Sequence, residues 1–65
     1  MLNATQAKDL IDECGGTRSV SERLGVTSRS VVNWRKFGLS RANEMAIKGA
    51  DPTAYDRWKA KQQEK

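Results

Sequence analysis

Five residues of this 65-residue chain share a spacing and a chemistry: Ser28, Arg29, Val32, Asn33 and Lys36. On a helix of 3.6 residues per turn they fall along one face. Arginine can donate two hydrogen bonds to a guanine edge, and asparagine can pair with adenine through both ends of its amide. Valine can touch a thymine methyl, and serine can bond to several base edges. A helix about 10 Å wide fits the major groove of a duplex. The face therefore carries the residue types that reading base edges requires. The plainer alternative for such a stretch is a solvated helix surface.

Charge sharpens the choice. The net charge is +4. Residues 17–41 hold Arg18, Arg23, Arg29, Arg35, Lys36 and Arg41 against Glu22 alone, a local charge of +5. The remaining residues together carry −1. A basic centre between near-neutral flanks is the pattern of a surface presented to a polyanion.

Composition argues against catalysis. Histidine is absent, which removes the commonest acid–base group and the commonest metal ligand. No cofactor loop and no clustered carboxylate pair stands out, so we expect neither an enzyme nor a cofactor, metal or small-molecule substrate. The single cysteine, Cys14, cannot form an internal disulfide. It reads as a small buried apolar residue in a reducing compartment. The start "MLNATQAKDLIDE" lacks a basic-then-apolar signal, and no apolar run approaches the ~20 residues of a membrane span. The expectation is a cytoplasmic protein without a membrane partner.

Positioning such a face requires helices, and the chain is punctuated for four to five of them. Asn3 caps a first helix, with Gln6 completing a box, and Ala7, Leu10, Ile11 and Cys14 form its inward stripe. Gly15 and Gly16 end it. Thr17 is expected to cap a second helix, with Val20 and Leu24 facing in and Gly25 closing it. Thr27 caps a third, from Ser28 to about Phe37, with Val31 and Trp34 inward and Gly38 at its end. Ser40 caps a fourth, with apolar Ala42, Met45, Ala46 and Ile47, and Gly49 is expected to stop it. Asp51 and Pro52 open a fifth, with Tyr55 and Trp58 on one face. The tail over 60–65 is polar and expected to fray. No stretch alternates with period two, so the fold class is all-α, a bundle of short helices in one domain over 1–65.

The tight "LGVT" turn sets the second and third helices at a steep angle. Val20, Leu24, Val26, Val31 and Trp34 then converge on one small core, and the opposite face of the third helix stays free. Trp34 reads as core rather than as a contact to a ligand.

Residues 17–36, "TRSVSERLGVTSRSVVNWRK", resemble the helix-turn-helix of the Cro and repressor proteins of temperate phages. That twenty-residue pattern has apolar fourth, eighth, tenth, fifteenth and eighteenth places and glycine at the ninth. Val20, Leu24, Val26, Val31, Trp34 and Gly25 occupy them. The fifth place is usually alanine where the helices touch; here it is Ser21.

The resemblance implies a lambda-repressor-like all-helical fold of the Cro-like branch. It implies a sequence-specific transcriptional regulator that binds double-stranded DNA, a repressor of phage or prophage type. Base-edge contacts fall on Ser28, Arg29, Val32, Asn33 and Lys36. Phosphate contacts fall on Thr17, Arg18, Thr27, Arg35 and Arg41, and Lys36 can also reach the flanking backbone. The helix N-terminus at Thr17 has a physical reason to hold an anion. The implied operator is palindromic and the implied assembly a weak homodimer on DNA, with Phe37, Tyr55 and Trp58 as candidate dimer residues. Two other readings stay open. One is an architectural or recombination-directing, excisionase-like DNA binder. The other is a protein-interaction module on the same scaffold. Arg23 is expected on the surface, pairing with an acid of the first helix, and Arg57, Lys59 and Lys61 on a solvated face.

Overall fold

Asn3 begins the first helix as the box pattern requires. Its side chain accepts the Gln6 N–H at 2.9 Å, and the Gln6 side chain accepts the Asn3 N–H at 3.0 Å. In the computed structural model, which describes residues 1–63, this box opens α1, Ala4–Glu13. Then follow α2 (Thr17–Leu24), α3 (Ser28–Phe37), α4 (Arg41–Ala50) and α5 (Pro52–Gln63). The fold is all-α, and no strand occurs among the described residues beyond one isolated bridge.

The caps explain most boundaries, and two expectations need correction. The N-cap of α2 is Gly16, not Thr17; Thr17 is already the first helical residue. Gly16 offers no side-chain acceptor, so the first turn of α2 lacks a side-chain cap. Gly25 closes α2 in the left-handed region at φ 68°. Thr27 caps α3 by accepting the Ser30 N–H at 3.1 Å, and Ser40 caps α4 by accepting the Asn43 N–H at 3.2 Å. The second correction is Gly49, which does not stop α4; the helix continues to Ala50. The effective stop is the Asp51–Pro52 pair, because proline disfavours a helical conformation in the residue before it. Asp51 sits at φ −145°, ψ 78°, and its carboxylate accepts the Ala54 N–H at 3.1 Å to start α5. Gly49 is exposed and a Cβ there meets nothing within 4 Å. Gly49→Ala is therefore expected to stabilise the fold by about 0.5–1 kcal/mol in a urea titration.

Of the tail expected to fray over 60–65, the part up to Gln63 is helical. Helix α5 runs through Gln63, and Lys61 on it is tied to α1. Glu64 and Lys65 lie outside the described residues.

The core gathers Ala7, Leu10 and Ile11 from α1, Cys14 at its C-cap, Val20 from α2, Val31 from α3, Ile47 from α4, and Ala54, Tyr55 and Trp58 from α5. Leu24 and Trp34 pack at its edge. Val26 does not join it and is exposed. Tyr55 and Trp58, candidates for a dimer surface, are buried instead, with ring centroids 5.4 Å apart.

Two more core residues come from the stretches before α1 and after α3. Leu2 and Leu39 are both buried, and each donates its N–H to the other's carbonyl, at 2.9 and 3.0 Å. This bridge fastens the N-terminus to the connection after α3. Gly38 makes it possible, for a Cβ there would run into the Leu2 carbonyl oxygen and the Asn3 backbone.

One buried acid was not foreseen. Glu44, in the first turn of α4, is buried and accepts a 2.7 Å hydrogen bond from the Tyr55 hydroxyl. Burial, and then the bond to Glu44, push the Tyr55 pKa up to about 12 from 10. A raised phenol pKa contributes stability that is complete below pH 10 and lost as the pH rises through about 12. Tyr55→Phe leaves the buried carboxylate without this donor and is expected to cost about 1.5–3 kcal/mol at neutral pH. Melts taken between pH 10 and 12 should fall more steeply for the wild type than for Tyr55→Phe.

Candidate nucleic-acid interface

Helix α3 is held from one side. It packs against α1 and α2, and its inward positions are Val31, fully buried, and the half-buried Trp34. Ser21, on α2, is buried. Its hydroxyl donates to the Arg18 carbonyl at 2.8 Å, so the buried serine leaves no polar atom unpaired.

The outward face of α3 presents Arg29, Val32, Asn33 and Lys36, all exposed, with Ser28 exposed at its first position. Neither Arg29 nor Lys36 has an ion-pair partner among the described residues. Every sequence-predicted base-edge residue thus lies on accessible surface of one helix.

The predicted phosphate residues divide. Thr17 stands half-buried at the start of α2, where the uncapped N–H groups gather. Arg18 is beside it, 90% exposed and 3.0 Å from Glu22, an exposed pair worth little that leaves the guanidinium able to exchange partners. Arg41 is exposed at the first position of α4. Thr27 differs: its hydroxyl is engaged at the cap, with Ser30 Oγ 3.0 Å away. Arg35 differs more. It turns back to α1 and meets Asp12 at 2.7 Å, with only 27% of its side chain exposed. Arg35 is thus placed as a strut between α1 and α3, and Asp12 is a partner that helical periodicity gave no sign of.

Another cation is also placed differently than expected. Arg23 pairs with Asp51 at 3.4 Å, not with an acid of α1. Arg57 and Lys61 are exposed, as expected, and both also meet Glu13 at 2.8 Å, which joins α5 to α1. The hydrogen bond from Lys61, then that from Arg57, hold the Glu13 carboxyl below its usual range. Lys59 lies 6.0 Å from the Trp58 ring.

The remaining chemistry is quiet. Cys14 is buried, and burial pushes its thiol pKa up, which makes it a poor nucleophile. A groove of about 320 Å³ between α1 and α5 is lined by Asp9, Asp12, Glu13, Trp58, Lys61 and Gln62. Two of its three carboxylates are engaged by Arg35, Arg57 and Lys61. No cluster of metal-ligating side chains occurs among the described residues, and no helix there is long and apolar enough to cross a membrane. No protein-family model, curated protein or solved structure matches the chain.

Proposed function

We propose that the chain is a sequence-specific regulator of transcription that binds double-stranded DNA, of the Cro-like repressor kind, and reads the major groove with α3. The observation that carries this reading is the one-sided packing of α3. Val31 and Trp34 anchor the helix, while Arg29, Val32, Asn33 and Lys36 stay exposed on the other side. The start of α2, with Thr17 and Arg18, and Arg41 on α4 supply anion-binding groups for the flanking backbone. Phosphate contacts then set the register, and the α3 face specifies the bases.

Size is compatible with a weak homodimer on a palindrome. The longest dimension of the described residues is 31 Å, below the roughly 34 Å between half-sites one helical turn apart.

Selection from a random duplex library at near-physiological salt tests the proposal, because non-specific binding is weak there. The expected result is enrichment of a two-fold symmetric site. Binding only at low salt, without enrichment, would point to an architectural or recombination-directing protein. Absence of binding at every salt concentration would leave an interaction module.

A further inference from the structure

Phe37 is 77% exposed, the most exposed aromatic residue of the chain. It lies one helical turn beyond Asn33, on the outward side of α3. At about 100° per residue, Arg29, Asn33 and Lys36 run down the centre of that side. Val32 and Phe37 then fall on opposite flanks, each about 70° from the centre. Val32 is 40% exposed. The recognition face is therefore a polar and cationic strip between two apolar edges.

From this geometry, and resting on the DNA-binding reading above, we infer that Val32 and Phe37 each take the 5-methyl group of a thymine, on opposite strands. The flanks of a helix lying in the major groove face its two walls. The thymine methyl is the one apolar group that a base pair presents in that groove. Val32 and Phe37 are about 7.5 Å apart along the axis, roughly two base steps. The site should carry two thymines on opposite strands at about that offset.

Charge decides against a second copy as the occupant of Phe37. A two-fold contact through this face would bring Arg29, Lys36 and their counterparts together, like charges against like. The same charges suit a duplex.

The test uses the duplex enriched by selection, resynthesised with deoxyuridine in place of thymidine one position at a time. Deoxyuridine pairs like thymidine but lacks the methyl. Burying a methyl-sized group is worth about fourfold in affinity. The expected result is two positions, on opposite strands, where the exchange weakens wild-type binding about fourfold. Phe37→Ala should be indifferent at one of them and Val32→Ala at the other. Phe37 is exposed, so Phe37→Ala should keep the wild-type circular dichroism spectrum and melting curve. Equal binding of thymidine and deoxyuridine duplexes overturns the inference and leaves the DNA-binding reading standing. Failure of any duplex to enrich removes both. A fall in DNA-free dimerisation of Phe37→Ala, seen by sedimentation, with unchanged sensitivity to deoxyuridine, assigns the ring to a second copy and overturns the inference.

Discussion

Replacing Arg29 with alanine is expected to weaken binding to the enriched duplex by about 1–3 kcal/mol and to relax the preference at one base pair. Arg29 is exposed and has no ion-pair partner among the described residues, so the melting curve should not move. The loss arises on the bound side, from two hydrogen bonds to a base edge. Two other arginines serve as controls with different signatures. Arg18→Ala should weaken binding across all sequences and lower the salt slope by about one, as for a phosphate contact. Arg35→Ala should act first on stability, because its guanidinium ties α3 to Asp12 of α1. Competition binding across a panel of single-base variants separates the three behaviours.

Gly38→Ala is expected to destabilise the fold by about 2–4 kcal/mol, a large part of the roughly 3–10 kcal/mol typical for this chain length. Gly38 sits at φ 102°, ψ −179°, a region essentially closed to residues with a side chain. The added Cβ also meets backbone, the Leu2 carbonyl oxygen, which cannot step aside as a flexible side chain can. Relief requires the Leu2–Leu39 bridge to open, which uncovers two core leucines. Gly25→Ala is the comparison. It also has positive φ, but a Cβ there meets nothing within 4 Å, so only the conformational cost of about 1–2 kcal/mol remains. Urea titrations of both variants should rank Gly38→Ala as the more damaging.

The helices were legible because their ends are written locally. Asn3 with Gln6, Thr27, Ser40, and Asp51 before Pro52 each place an acceptor beside free N–H groups. The α1 stripe was legible because Ala7, Leu10, Ile11 and Cys14 follow the helical period. Leu2 and Leu39 were missed because each stands in irregular chain, where no period exists and only the tertiary bridge buries them. Glu44 was missed because a charge reads as surface until a partner such as Tyr55, eleven residues away, is known. Tyr55 and Trp58 were candidates for a dimer surface because so small a domain need not bury every aromatic, yet both join the core where α5 packs on α1 and α4.

At the candidate site, outwardness of Ser28, Arg29, Val32, Asn33 and Lys36 followed from the inward pair Val31 and Trp34. The sorting of the other cations did not. Which acid meets Arg23, Arg35, Arg57 or Lys61 depends on how helices far apart in sequence are set beside one another. A charge count cannot separate a strut from a free arginine.

The central claim is that the outward face of α3 is the DNA interface. An amide-shift titration of the ¹⁵N-labelled chain with the enriched duplex tests it most directly. The account predicts that the largest changes cluster from Ser28 to Phe37 and at Thr17 and Arg18, with Asp9, Glu13 and Trp58 on the α1–α5 side nearly still. Changes concentrated along that α1–α5 groove, with α3 unmoved, would contradict it.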